Sequence, residues 1–165
     1  MSAGLAAALA PAITLAEVRS LLAAYTAVLD DGDLVDWPTL FTDPCLYRIT
    51  TRENERQGYP LPIMLCDNRA MLYDRVEATE KANVFEPHWY RHILSESQVV
   101  KETRESLVVK TGFICVRTMQ DGPMTLFVSG AYIDDVVRDG ETCRFRSKSV
   151  ILDQSRIDTL IAIPL

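Results

Sequence analysis

The dipeptide Asp139-Gly140 separates two long runs with strand character, residues 124–138 and 141–152. Asp-Gly suits a type I′ turn, which needs positive φ at both central positions and joins antiparallel strands tightly. Upstream, residues 103–118 form a third such run, rich in Val, Ile, Phe and Thr, and Asp121-Gly122 marks the turn after it. Three neighbouring long strands make a meander. Strands of this length twist and curl, and one face of their sheet needs a cover.

The cover comes first in the chain. Thr14 and Glu17 have the spacing of a capping box, and Leu15, Val18, Leu22, Tyr25 and Leu29 then recur every three or four residues. This predicts a helix that ends at Asp30-Asp31-Gly32, with Gly32 as a left-handed cap. Asp33 begins a second, short helix through Trp37 and Leu40. Phe41-Thr42-Asp43-Pro44 reads as a turn, and residues 45–51 as a strand of β-branched and aromatic residues. Residues 52–58 are polar and are expected to be exposed or to meet a partner. Tyr59-Pro60-Leu61-Pro62 is too proline-rich for a central strand, and residues 63–66 read as a short edge strand. Asp67 is placed to cap a third helix with Met71, Leu72 and Val76 on its apolar side, ending near Asn83. An aromatic linker, residues 85–90, leads to a strand over residues 91–100. The expected architecture is α+β, a curved and mostly antiparallel sheet wrapped around three N-terminal helices. One domain spans residues 1–165, with residues 1–13 as a frayed lead-in.

The last stretch, residues 143–165, poses a problem of its own. Strict alternation puts Arg144, Arg146 and Lys148 on one face of a strand, with Phe145, Ser147 and Ser149 on the other. An apolar tail ending in Ile163-Pro164-Leu165 follows. Both the charged face and the tail need a cover, either the chain's own fold or another subunit. The cations are read equally as a solvated outer face, which blunts an exposed strand, and as a surface for an acidic partner.

A 165-residue chain with 48% hydrophobic and 24% charged residues has the composition of a globular protein with a real core. Its net charge of -6 argues against general nucleic-acid binding, which needs a basic surface. No apolar run approaches the ~20 residues of a membrane helix. Residues 1–10 carry no Lys or Arg ahead of their Ala-rich run, and Pro11 follows, so a secretion signal is rejected. The four cysteines, Cys45, Cys66, Cys115 and Cys143, have no C-x-x-C spacing and are expected as reduced thiols in a cytoplasm.

Catalytic signatures are sparse. The two histidines, His88 and His92, are four apart, but Pro87 and the strand-like context argue against a zinc helix, and they are read as packing or subunit-contact residues. Asp134 and Asp135 are adjacent on a strand, so they face opposite sides and cannot act as a dyad. A cone enclosed by the curled sheet has Asp43, Tyr47, His88 and Tyr132 as candidate lining residues for proton abstraction or dehydration.

Four stretches carry a resemblance. They are Leu29-Asp30-Asp31-Gly32-Asp33 leading to Trp37 and Leu40-Phe41-Thr42-Asp43; Arg52-Glu53-Asn54 with Gly58, followed by Met71-Leu72-Tyr73-Asp74-Arg75-Val76; Tyr90-Arg91-His92; and Phe145, Lys148 and Asp153 with Arg156-Ile157-Asp158-Thr159-Leu160 and Pro164-Leu165. In order and spacing they resemble the small (beta) subunit of Rieske-type aromatic-ring-hydroxylating dioxygenases, in appearance nearest to the salicylate and anthranilate hydroxylase branch. The first stretch alone is shared with the wider group of cone-shaped domains resembling nuclear transport factor 2.

The resemblance implies a structural subunit without cofactor, metal or catalytic residue, in an α3β3 assembly. The partner α subunit then carries a Rieske [2Fe-2S] cluster and a mononuclear iron and oxidises an aromatic substrate, with an aromatic acid implied by the branch. The histidine count agrees independently. A Rieske centre takes two Cys and two His, and the mononuclear iron takes two further His and a carboxylate. Two histidines cannot serve both. The subunit interface is expected at His88, Trp89, Tyr90, Arg91 and His92, at Arg144, Arg146 and Lys148, and at Arg156 and Asp158. The competing readings are a stand-alone isomerase, dehydratase or hydrolase with a cone pocket, as in ketosteroid isomerase and scytalone dehydratase, and a small-ligand binding module.

Overall fold

The structure is a computed structural model and describes residues 12–31, 33–81, 85–157 and 161–165. The expected lead-in residues before Ala12, the Gly32 cap, the helix end at Asn83 and the segment Asp158-Thr159-Leu160 lie outside the described residues.

Helix α1, Leu15–Asp31, starts at the expected capping box. The Glu17 amide donates to Thr14 Oγ1 at 3.2 Å, and the Thr14 amide donates to Glu17 Oε2 at 2.9 Å. Its stripe of Val18, Leu21, Leu22, Tyr25 and Leu29 is buried. A 3₁₀ helix, Leu34–Leu40, follows and buries Trp37. Strand β1, Phe41–Thr51, begins where a turn was expected. Phe41 is fully buried against Trp37, Tyr47 and Phe145, which draws it into the sheet. The irregular register between Phe41 and Leu46 accommodates Pro44 and its cis peptide bond.

The polar residues after β1 coil into a short helix, α2, Arg52–Gln57, with no buried residue. Thr51 Oγ1 accepts the Asn54 amide at its start, and Gly58, at φ 66°, provides the left-handed exit. Strand β2 is Met64–Cys66, and helix α3 is Arg69–Lys81. The side chain that accepts an amide at the start of α3 is Asn68, from Met71 at 3.0 Å, where Asp67 was expected to cap.

Strands β3 (His88–Leu94), β4 (Gln98–Glu102), β5 (Ser106–Met119), β6 (Met124–Asp139) and β7 (Thr142–Leu152) complete the chain. The expected strand over residues 91–100 is thus two strands, and the expected aromatic linker supplies the first residues of β3. Both β3 and β4 pair with β5. The break between them sits at Ser95, whose amide and Oγ both bond the backbone of Gly112 at 2.9 Å.

The sheet order is β2-β1-β7-β6-β5-β3, with β4 also beside β5. Every pair is antiparallel except β1–β7. Gly130 lets β6 and β7 close on each other, since a Cβ there would stand 2.1 Å from the Ile151 carbonyl oxygen.

The sheet curls around α1, α3 and an aromatic core in which Phe113 and Tyr132 stack at 4.2 Å and Tyr25 meets Tyr132 and Phe145 edge-on. The apolar tail enters the same core. Ile161, Ala162, Ile163 and Leu165 are all buried. Arg75 Nη2 donates to the Ile161 and Ala162 carbonyls at 2.5 and 3.2 Å, and Thr79 Oγ1 donates to Ala162 at 3.0 Å. Tyr25 and Tyr47 donate their hydroxyls to the Leu165 backbone oxygen at 2.5 and 3.0 Å, and the Leu165 amide donates to Tyr47 Oη at 3.1 Å. The cover of the tail is therefore the chain's own fold. Each buried side chain of this size contributes about 1.5–3 kcal/mol, enough to hold the tail without a neighbour.

Candidate functional site

Strand β7 does not keep strict alternation. Phe145 pairs with Val136 and Ser147 with Asp135, so Arg146 is an extra residue in a bulge. The bulge reverses the facing of everything after it. Phe145 and Lys148 both point into the core, while Arg146 points out. Lys148 therefore does not share an outer face with Arg144 and Arg146, and its expected interface role is corrected: the side chain is fully buried.

Its ammonium donates to both Asp134 oxygens, and it lies 3.6 Å from the Tyr132 ring centroid, 4.2 Å from Tyr25 and 4.7 Å from Phe145. Burial pushes the Lys148 ammonium down to about 8, with the Asp134 charge opposing the shift. Burial likewise raises the Asp134 carboxyl, against the pull of Lys148. Asp135, on the opposite face, pairs with Arg146 at 2.6 Å. Arg144 meets Asp139 at 3.2 Å. This buried pair was missed in the sequence, although Asp134 shares parity with the inward Tyr132 and Val136. The bulge that delivers Lys148 to it has no sequence signature.

The β3 cluster divides by face. Tyr90 and His92 are buried, whereas Trp89 and Arg91 are exposed and His88 is half-buried. Asp30, at the end of α1, accepts the His92 backbone amide at 2.9 Å and stands 2.6 Å from its Nδ1. Arg91 reaches the same carboxylate at 3.7 Å. His88 Nδ1 lies 2.8 Å from the Glu86 carbonyl oxygen. Tyr90 and His92 thus fasten β3 to the core, and the outward residues remain the ones able to meet a partner. Arg156 is exposed.

Three of the candidate cone-lining residues are engaged by the fold itself. Tyr47 bonds the tail, Tyr132 lies between Phe113 and Lys148, and His88 sits at the edge beside Phe85 and Tyr90. Five open surface hollows have been traced, and none of the five is lined by Tyr25, Tyr47, Tyr132, Asp134 or Lys148. The charged groups of the core are paired with each other rather than aimed at a ligand.

The outer face is different. The pairings set Trp89, Thr118 and Met124 in one row, Arg91, Val116 and Leu126 in the next, and Ile93, Ile114 and Ser129 in a third. Trp89, Ile93, Ile114, Met124 and Leu126 are all exposed, with Leu126 at 77%. A second exposed apolar stretch leads into β2 at the opposite edge of the sheet: Tyr59, Leu61, Ile63 and Leu65, with Leu61 at 81% exposure. Exposed apolar areas of this kind mark contact surfaces.

The model of the ring hydroxylating beta subunit family matches residues 25–159. The chain belongs to that family. It is 36% identical over 149 residues to the anthranilate 1,2-dioxygenase small subunit of Burkholderia cepacia, covering 90% of this chain and 92% of that one. It is 33% identical over 149 residues to subunit beta 1 of the terminal oxygenase component of terephthalate 1,2-dioxygenase from Comamonas sp., covering 90% and 97%. A solved beta subunit assigned to an aromatic-ring-hydroxylating dioxygenase of Novosphingobium aromaticivorans superposes with a TM-score of 0.84 at 36% identity, over 92% of this chain and 96% of that one. The cone-shaped α+β fold expected from the resemblance is the fold observed.

In this beta subunit the stretches that carried the resemblance converge in space. Asp30 of the first holds His92 of the third. Arg52 of the second pairs with Asp153 of the fourth. Arg75 of the second holds the tail that ends the fourth. These contacts tie the cone together.

Proposed function

We propose that this chain is the non-catalytic structural beta subunit of a multicomponent aromatic-ring-hydroxylating oxygenase. It supports an α3β3 assembly, as one cone-shaped domain, with an α subunit that holds the Rieske [2Fe-2S] cluster and the mononuclear iron. The observation that carries this reading is the contrast between the two sides of the sheet. The interior is filled by aromatic rings, a paired Asp134–Lys148 and the chain's own tail, and the outer face is apolar and open. Such a molecule is built to be packed against.

The donor set supports the absence of iron chemistry in this chain. Its two histidines cannot supply the four imidazoles that the two iron centres together need. Both curated relatives are subunits of dioxygenases named for aromatic carboxylic acids, which supports an aromatic acid as the substrate of the complex. Among the described residues no helix is long and apolar enough to cross a membrane, and the cysteines are free, which fits a cytoplasmic setting.

The test is co-expression with a Rieske oxygenase α subunit, followed by size-exclusion chromatography with light scattering. The expected result is one complex with equal α and β content and the mass of α3β3, while this chain purified alone is colourless and free of iron. A chain that stays monomeric and binds no such α subunit overturns the proposal.

A further inference from the structure

We propose that the hollow beside the β4–β5 turn binds a ring-sized carboxylic acid that carries a hydroxyl or amine at its far end. This binding belongs to the isolated chain and does not depend on the assembly role proposed above.

The sheet register builds the hollow. Lys101 of β4 stands opposite Val108 of β5, and Val108 stands opposite Asp135 of β6. Residues directly opposite one another share a face, so the three form one row, with apolar Val108 between a cation and a carboxylate. Lys101 and Asp135 are two strand spacings apart, roughly 10 Å. Arg146, the extra residue of the β7 bulge, and Arg104, from the turn after β4, line the same hollow. Its volume is about 420 Å³, and small-molecule sites span about 300–1,000 Å³.

The two ends differ chemically. At the β6 end, Arg146 donates from Nε and Nη2 to Asp135 Oδ2 at 2.9 and 2.6 Å, and from Nη2 to Ser106 Oγ at 3.3 Å. The other oxygen, Asp135 Oδ1, is enclosed and accepts no hydrogen bond from a described residue. An enclosed acceptor without a donor costs free energy, and a ligand hydroxyl or amine supplies that donor.

At the β4 end the cations are uncommitted. Among the described residues neither Lys101 nor Arg104 makes an ion pair. The turn that carries Arg104 is itself fixed, since Thr103 Oγ1 accepts the Glu105 and Ser106 amides at 3.3 and 3.0 Å. Lys101, Arg104 and Arg146 outnumber Glu105 and Asp135 here, although the chain as a whole has a net charge of -6. A carboxylate at this end and a donor at the other satisfy both, with an apolar ring over Val108. Glu105 and Asp135 disfavour a phosphate dianion in the same place.

The test is an NMR titration of the full-length, isotope-labelled chain with para-hydroxybenzoate. Saturable shifts are expected at the amides of Lys101, Arg104, Ser106 and Asp135. Benzoate, which lacks the donor, is expected to bind about tenfold more weakly, the loss of one hydrogen bond to a charged group. Phenol, which lacks the carboxylate, is expected to give no saturable shift. The double variant Lys101→Ala, Arg104→Ala changes two exposed side chains. It is expected to unfold at the wild-type temperature and to bind para-hydroxybenzoate at least about tenfold more weakly. Absence of saturable shifts at these amides, equal affinity for benzoate, saturable binding of phenol, or full affinity in the double variant overturns the inference. Co-purification with an α subunit is read separately. A chain that assembles without binding the acid loses this inference alone, and one that binds the acid but never assembles loses only the proposed function.

Discussion

Lys148 Nζ donates to Asp134 at 3.0 and 3.1 Å in the centre of the core, and neither side chain reaches solvent. Desolvation works against both charges, and their attraction together with the Tyr132, Tyr25 and Phe145 rings offsets it. Removing one partner leaves the other charge buried alone. Lys148→Met or Asp134→Leu is therefore expected to cost about 3–5 kcal/mol in urea unfolding, whereas the double variant returns to within about 1–2 kcal/mol of wild type or exceeds it. Additive losses in the double variant would show that the two residues do not act as a pair.

The tail is held by Tyr47 through two hydrogen bonds, one given and one taken. Tyr47→Phe leaves the buried Leu165 amide and oxygen with fewer partners and is expected to cost about 1–3 kcal/mol, with faster hydrogen exchange over residues 161–165. Tyr59→Phe, at an exposed position, serves as the control and is expected to change neither.

Glu17 gives a pH dependence. Its bonds to Thr14 and Arg138 hold the carboxyl down at about 2, from an ordinary 4.5. A carboxyl lowered by folding binds fewer protons in the native state than in the unfolded one, so its contribution is fully present above pH 4.5 and is lost as the pH falls toward 2. The melting-temperature difference between wild type and Glu17→Gln is expected to be constant well above pH 4.5 and to shrink as the pH falls from 4.5 toward 2. A difference that grows on acidification would contradict this assignment.

Arg91 and Arg156 are exposed in the isolated chain, so their expected role lies in assembly. Arg91→Ala and Arg156→Ala are expected to weaken complex formation in size-exclusion chromatography while changing thermal unfolding little, since surface changes cost within about 0.5 kcal/mol. Lys148→Met should show the reverse, a loss of fold stability before any loss of assembly. Normal assembly by both arginine variants would remove these residues from the interface.

Much of this fold was legible from local rules. The capping box and apolar period of α1, the hairpin at Asp139-Gly140 and the length of the final strands all follow from short-range stereochemistry, and the structure has them. The failures arise where a long-range contact decides. Parity gave Arg144, Arg146 and Lys148 one face because it assumes an unbroken ladder, and the bulge opposite Asp135 and Val136 breaks it. Phe41 joins a strand because its ring is wanted in the core, which a turn signal at Pro44 cannot report. The break at Ser95 depends on Gly112, seventeen residues away. The exposed stretch at Tyr59, Leu61, Ile63 and Leu65 was present in the sequence as a period of two, masked by its prolines.

The burial of the tail also orders events during synthesis. The hydroxyls of Tyr25 and Tyr47, made early, find their partner in Leu165, 140 and 118 residues later. Until that segment leaves the ribosome, two phenols and the apolar walls around them face an unfilled space. The growing chain therefore carries an incomplete core until residues 161–165 emerge, an interval in which exposed apolar surface is prone to misassociation.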